Sequence, residues 1–205
     1  MGEEILSFDT TGIMSCQKNR YPMLFVDRIT ECVPLSYAKG YKLFSYNEWY
    51  FHGYETSSPK VWNVIQIEAM SQVFLMTFLS SEDCKGKVAM SNKFNKVQFL
   101  RKIEPGEKLE FEAYLDSFRH GIAKGNVTGY VKGEKACSME CTIVIPDLFG
   151  KFQHALPERE IDKSSYNNSK VTFDDLNETE FKLYNSNFGI EKIKECLLNK
   201  YPWLF

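Results

Sequence analysis

Glu68 is the first candidate for a chemical role, because it places a carboxylate in the middle of the apolar stretch Lys60–Leu79. A carboxylate in such surroundings is seldom fully buried unless it is paired or has a function. Two interpretations stay open: a structural carboxylate that is hydrogen-bonded inside the core, or a functional acid in an apolar environment. Gln72 follows one helical turn later on the same face, where its amide could orient Glu68.

Two further candidates, His52 and Tyr54, lie upstream of the apolar stretch. A tyrosine hydroxyl has an unperturbed pKa of about 10, so at neutral pH Tyr54 is a poor base but a competent hydrogen-bond donor. In an extended segment His52 faces the same side as Tyr54 but is displaced by roughly 6.5–7 Å. Proton transfer needs contact near ~3 Å. At this distance His52 could carry out a proton transfer at the place of Tyr54 only if the loop is rebuilt, and an ordinary packing role is favoured for His52.

Residues 60–79, which include Glu68, are predicted to form one helix. A helix that is hydrophobic on almost every side is normally buried all round. About 20 residues at ~1.5 Å rise give a rod of roughly 30 Å. Interspersed polar residues argue against a membrane span. Ser57 and Ser58, just before Pro59, lie where helix-start signals belong.

The remaining apolar segments predict an antiparallel sheet around this helix. Alternation of apolar and polar residues, with β-branched and aromatic side chains, is typical of strands. Pro105-Gly106 predicts a type II turn, and Gly133 predicts a hairpin turn. One long hydrophobic helix among amphipathic strands indicates an α+β fold whose sheet wraps the helix. A short helix or arm is predicted over 1–20, and strands over Tyr21–Glu31, Tyr37–Ser45, Val88–Leu100, Lys108–Phe118, Ile122–Val131 and Ala136–Ile145.

Composition argues against several function classes. The chain has 205 residues, a net charge of −2 and a pI near 6.0. Lys and Arg form no long basic run, so no nucleic-acid partner is expected. The first residues do not resemble a signal peptide, and a cytoplasmic location is predicted. The six cysteines form no CxxC pair and match no zinc spacing, so reduced thiols and no metal site are expected.

The domain organisation is predicted to be a main domain over 1–146, a linker over 147–170 and a helical extension over 171–205. The linker is rich in charged and polar residues. In the extension, Ile190, Ile193 and Leu197 share one helical face. The apolar end of the chain, Tyr201–Phe205, is expected to dock on this domain or on a partner.

Four motifs together resemble a known family, the β-hydroxyacyl-acyl-carrier-protein dehydratases of the hot-dog fold. Tyr21-Pro-Met-Leu-Phe-Val-Asp-Arg28 resembles the YPFLLVDR segment of that family, and Glu68-Ala-Met-Ser-Gln72 resembles EAMAQ in its central helix. Glu104-Pro-Gly-Glu107 resembles its PGD turn, and the segment from Gly121 resembles its last hairpin. The resemblance covers roughly residues 5–146 and is specific through the order and spacing of the motifs.

The resemblance implies a long helix inside a curved antiparallel sheet, a dimer joined edge to edge, and active sites at the dimer interface. In the family, a His removes the α-proton of a 3-hydroxyacyl thioester, and a Glu of the other subunit protonates the departing hydroxyl. The substrate is presented on the phosphopantetheine of an acyl carrier protein, and no other cofactor is implied. The resemblance also implies that a basic group contacts this acidic carrier: Lys93, Lys96, Arg101 and Lys102. From the charges alone, the same group is interpreted as a solvated strand face.

The chain departs from the family at the catalytic His. The family segment GHFPxxPVMPG aligns with residues 53–63, so that Gly53 is kept and Tyr54 occupies the His position. Asn63 occupies the position of the Gly whose backbone N–H polarises the thioester carbonyl. Asn63 also has a backbone N–H at a helix N-terminus, which favours developing negative charge. The resemblance thus implies catalytic or substrate-binding positions at Gly53, Tyr54, Asn63, Glu68 and Gln72.

Three hypotheses follow. The leading one is a base-deficient subunit of fatty-acid or polyketide-type biosynthesis, which supplies Glu68 to a composite site with a His-bearing hot-dog homologue. The second is an active dehydratase, homodimeric in the manner of the family, that uses His52 or Tyr54 with Glu68. The third is a hot-dog thioesterase, in which Glu68 activates water, or a non-catalytic acyl-binding protein.

Overall fold

The computed structural model of the protein describes residues 4–51 and 59–148. Within these ranges the chain forms seven strands, two α-helices and the 3-10 turn Trp49–Phe51. The predicted extension, most of the predicted linker, and His52, Gly53 and Tyr54 lie outside the described residues. The α-helices are α1 (Thr10–Cys16) and α2 (Asn63–Leu79). The strands are β1 (Leu6–Phe8), β2 (Arg28–Val33), β3 (Tyr37–Leu43), β4 (Met90–Phe99), β5 (Lys108–Arg119), β6 (Ile122–Val131) and β7 (Glu134–Val144).

The strands form one antiparallel sheet in the order β1-β2-β3-β5-β6-β7-β4. α2 packs against the inner face of this sheet. The helix and the sheet approach closely at Gly125 of β6, where an added Cβ would lie 2.5 Å from Cε2 of Phe74 and 2.1 Å from the carbonyl oxygen of Tyr114. Only a residue without a side chain fits there, which lets the sheet curve closely around the helix. The predicted α+β hot-dog architecture is confirmed.

The helix α2 lies in the hydrophobic core, and every residue from Ala69 to Leu79 is buried. The helix begins at Asn63, three residues later than predicted. Its N-cap is Trp62, which makes no side-chain capping bond, so the predicted start signals at Ser57 and Ser58 do not begin the helix. The first turn also departs from the prediction of burial on all sides, because Val64 is 61% exposed. No helix among the described residues is long and apolar enough to cross a membrane.

The segment 21–27 is not the start of a strand, contrary to the prediction of a strand over Tyr21–Glu31. The backbone N–H of Met23 donates to the carbonyl of Arg20 at 2.7 Å and closes a turn. The Met23 carbonyl and the Phe25 N–H are both bound by the side chain of Gln72. These two backbone groups therefore cannot join a sheet ladder, and β2 starts only at Arg28.

The two predicted turns are confirmed. In the first, the N–H of Glu107 donates to the carbonyl of Glu104 at 3.2 Å, and Gly106 has φ 92°. In the second, Lys132 and Gly133 have φ 53° and 80°, a pair of left-handed residues that joins β6 to β7.

The two edges of the sheet differ in length. One edge is β1, which has three residues, and the other is β4, which has ten. No described strand pairs with the outer side of β4. Met90, the first residue of this strand, and Leu100, the residue after its end, are exposed apolar residues. A long edge strand with free N–H and C=O groups is a template for pairing with another chain.

Candidate active site

Glu68 is half-buried on the second turn of α2, at the less buried end of the helix. Its Oε1 accepts a hydrogen bond from Nε2 of Gln72 at 2.7 Å and one from Nδ2 of Asn19 at 3.2 Å. The structure thus places Gln72 against Glu68, the contact that their spacing predicts. Glu68 is not fully enclosed, so a substrate can be considered at this carboxylate.

Gln72 is fully buried, and both the oxygen and the nitrogen of its amide are hydrogen-bonded. Nε2 donates to the carbonyl of Met23 at 2.7 Å as well as to Glu68, and Oε1 accepts from the N–H of Phe25 at 2.7 Å. An amide has two donor hydrogens, and both are engaged here. Because the Phe25 N–H needs an acceptor and the Met23 carbonyl needs a donor, the amide has one favourable orientation. That orientation directs an N–H at Glu68.

Asn19 was not identified from the sequence. It is 49 residues from Glu68 in the chain, and no local spacing relates the two. The neighbouring Arg20 holds the backbone here, because its guanidinium donates to the carbonyls of Met14, Gln17 and Asn19 at 2.7 to 2.8 Å. A rigid guanidinium fork with three carbonyl partners fixes the position from which the Asn19 side chain extends.

At the N-terminus of α2, two backbone N–H groups have no acceptor in the described part of the chain. No described residue accepts a hydrogen bond from the N–H of Asn63 or Val64, the first two positions of the helix. An open groove of about 250 Å³ adjoins this end, lined by Lys60, Val61, Asn63, Gln66, Phe99, Leu100, Arg101 and Lys102. Free N–H groups and the positive end of the helix dipole favour a carbonyl oxygen that gains negative charge.

Two of the four residues in the predicted basic group form ion pairs within the chain. Lys96 lies 2.7 Å from Glu140, and Arg101 lies 2.7 Å from Glu107. The hydrogen bond with Glu140 raises the pKa of Lys96. No ion pair is seen for Lys93 or Lys102 among the described residues, so their charges remain available to a partner.

The segment that contains His52 and Tyr54 follows an anchored turn. Lys42 is buried and lies 3.1 Å from Asp27 and 2.7 Å from Glu48, the residue before the 3-10 turn. Burial, and then the carboxylates of Glu48 and Asp27, strongly raises the pKa of Tyr50 in this turn. The Tyr50 phenol therefore stays protonated and cannot act as a base.

Comparison with known proteins identifies the family. Residues 18–140 match the FabA-like domain. The chain belongs to the FabA-like domain family. Its relatives include the 3-hydroxyacyl-[acyl-carrier-protein] dehydratase FabZ of Caldicellulosiruptor saccharolyticus, which is 38% identical over 67% of this chain and 99% of that protein. The FabZ dehydratase of Clostridium novyi is 37% identical over 65% of this chain and 94% of that protein.

Solved structures agree on the fold. The dehydratase heterocomplex ApeI:P from Xenorhabdus doucetiae has a chain that superimposes with a TM-score of 0.58 at 10% identity, over 71% of this chain and 97% of that one. The FabA-like match begins one residue before Asn19, so Asn19, Glu68 and Gln72 all lie inside it. A dehydratase-type activity in fatty-acid synthesis is the function that the FabA-like family membership and the FabZ relatives support.

Proposed function

We propose that the chain is a subunit of a 3-hydroxyacyl-acyl-carrier-protein dehydratase that supplies Glu68 to a composite site with a His-bearing FabA-like partner. The observation that carries the proposal is the pair of amide donors, Asn19 and Gln72, on a half-buried carboxylate. Neither donor is a base. The chain keeps an oriented acid while its sequence has Tyr54 where the family has its His.

Dehydration needs two proton transfers, one at each end of the bond that becomes double. A general acid protonates the departing hydroxyl, and a general base removes the α-proton. Glu68 can perform the first task. The second requires a group such as a histidine of the partner, because the Tyr54 phenol is a poor base at neutral pH.

The α-proton becomes easier to remove when the thioester carbonyl is polarised. In the proposed site, the backbone N–H of Asn63 donates to that carbonyl. The support is its place at the first position of α2, where no described residue takes up the N–H. Donors aimed at the oxygen that develops charge are among the largest contributions to catalysis.

The proposed partner binds along the outer edge of β4. This edge is ten residues long and is unpaired among the described strands, and the exposed apolar residues Met90 and Leu100 lie at its start and just beyond its end. Ser71 of α2 contacts Ser91 of β4 through a 3.4 Å hydroxyl pair, so this edge is linked directly to the catalytic helix. A homologue that adds its own β4 here would bring its residues towards the groove at the α2 N-terminus.

The proposed substrate carrier is acyl carrier protein, which presents the acyl group on phosphopantetheine. Lys60 and Lys102 line the groove at the helix N-terminus, and Lys93 lies on β4. Positive charges around the mouth of a site favour association with an acidic carrier. No cofactor beyond the phosphopantetheine arm is part of the proposal.

The test is an assay on 3-hydroxyacyl carrier-protein thioesters with the pure chain, with a His-bearing homologue, and with both together. We expect little turnover from the pure chain and more from the mixture than from the homologue alone. The decisive variants are Glu68→Gln in this chain and His→Ala in the partner, each of which should by itself abolish the one complete composite site. Rapid dehydration by the pure chain would contradict the proposal and support an active homodimer.

A further inference from the structure

We infer that Asn19 is a positioning residue for Glu68, which fixes the carboxylate so that Oε2 is the oxygen left for the substrate. The inference rests on the proposed function and adds to it a residue from a separate part of the chain. Asn19 touches the carboxylate and not the reacting atoms, so its effect on the reaction is transmitted through Glu68.

The geometry places both described hydrogen bonds on one oxygen. Asn19 and Gln72 donate to Oε1 at 3.2 and 2.7 Å, and no described residue donates to Oε2. A carboxylate can accept at both oxygens, so two donors on the same one leave the other available for proton exchange. If Gln72 were the only donor, the carboxylate could rotate about that one hydrogen bond. The second donor restricts that rotation.

The two donors come from different elements, which makes the restraint rigid. Gln72 belongs to α2, the same helix as Glu68, whereas Asn19 follows the end of α1. Arg20 holds the Asn19 backbone through the Asn19 carbonyl at 2.7 Å, and it also binds the carbonyls of Met14 and Gln17. Movement of Asn19 away from Glu68 would therefore disturb the contacts at the end of α1.

The same segment continues to the partners of Gln72. Met23 accepts from the Gln72 amide and Phe25 donates to it, each at 2.7 Å. The segment 19–25 thus holds Glu68 directly through Asn19 and indirectly through Gln72. A residue that orients a catalytic group affects the transition state more than substrate binding, so loss of Asn19 should lower kcat rather than raise KM.

The experiment compares Asn19→Asp with Asn126→Asp. Asn126 Nδ2 donates to Asp116 Oδ1 at 3.3 Å, so this control makes the same chemical change in a similar amide–carboxylate pair on the sheet. In the full chain with its His-bearing partner, we expect N19D to lower kcat by about ten- to a hundredfold or more, because it removes a hydrogen bond to a charged group and places a second carboxylate beside Glu68. KM should change little, and N126D should keep the wild-type kcat. An unchanged kcat in N19D would overturn the inference.

A second measurement does not depend on activity. The ¹³C NMR signal of the Glu68 carboxyl carbon, assigned by its loss in Glu68→Gln, reports the hydrogen bonds to that group. We expect it to move in N19D and to stay in place in N126D. A Glu68 signal that does not move in N19D overturns the role of Asn19 whether or not the complex is active. Absence of dehydration by the wild-type complex overturns the proposed function instead, and the NMR comparison still decides the role of Asn19.

Discussion

Gln72 donates from Nε2 to Oε1 of Glu68 at 2.7 Å, across one turn of α2, while its Oε1 accepts from the N–H of Phe25. One buried amide therefore links the candidate acid to the backbone of a segment distant in the sequence. The acid keeps its geometry only if this amide keeps its orientation. The stability of the fold and the geometry of the candidate acid are therefore coupled at this residue.

Gln72→Leu should destabilise the fold. The substitution leaves the buried Phe25 N–H without its acceptor and the partly buried Met23 carbonyl without its donor, and an unsatisfied buried group costs about 1–3 kcal/mol. We expect the free energy of unfolding in urea to fall by about 2–4 kcal/mol. Gln98→Leu is the matched control, because Gln98 is exposed on β4 and should stay within about 0.5 kcal/mol of wild type. Equal stability of the two variants would show that the Gln72 contacts do not matter.

His52→Ala and Tyr54→Phe distinguish the composite site from an active homodimer. If the partner supplies the base, both variants of this chain should retain the dehydration rate of the wild-type complex. If either residue is the base, its loss should reduce the rate roughly 10²–10⁴-fold. The measurement is the steady-state rate on a 3-hydroxyacyl carrier-protein thioester at saturating partner. A large loss in either variant contradicts the base-deficient subunit.

Glu68→Gln distinguishes a dehydratase from a thioesterase. We expect the variant to lose dehydration in the composite complex by about 10²–10⁴-fold, because an amide cannot donate the proton of a general acid. Free acid and enoyl product should be measured in the same reaction. Release of free acid by the wild-type chain that disappears in Glu68→Gln would instead identify a hydrolase.

Gly125→Ala tests the close contact between α2 and the sheet. The added methyl would lie 2.1 Å from the Tyr114 carbonyl oxygen and 2.5 Å from the Phe74 ring, so strand and helix must separate. We expect a loss of about 3 kcal/mol or more in the free energy of unfolding. Gly133→Ala is the control, since its added Cβ meets open space and only the left-handed backbone costs about 1–2 kcal/mol. A larger loss for Gly133→Ala would contradict the packing described here.

Stability should fall at alkaline pH because two of the buried thiols have strongly raised pKa values. Desolvation raises the pKa of Cys137 and of Cys141 from 9.0 to about 12. The unfolded chain releases these protons first, so the contribution is fully present below about pH 9 and is lost between about pH 9 and 12. The free energy of unfolding, measured from pH 7 to 11, should fall less steeply in the Cys137→Ala, Cys141→Ala double variant. Identical slopes would contradict the burial of the two thiols.

Local patterns in the sequence were sufficient for most of the secondary structure. The apolar run that forms α2, the alternation that forms β5 and β6, and the turns at Gly106 and Gly133 depend on neighbours within a few residues. The contact between Glu68 and Gln72 was predictable for the same reason, because residues four apart share a helix face. The resemblance to the hot-dog dehydratases added the curvature of the sheet around the helix.

The tertiary structure alone decided which distant groups meet. Asn19 reaches Glu68 across 49 residues, and Gln72 binds Met23 and Phe25 across a similar separation. The bonds from Gln72 to Met23 and Phe25 keep this backbone out of the sheet. The strand predicted over Tyr21–Glu31 therefore starts only at Arg28. Apolar patterning along the chain was enough to predict that an acid lies on a buried helix. Packing between elements determined what holds that acid, since no periodicity in the chain encodes a contact between separate segments.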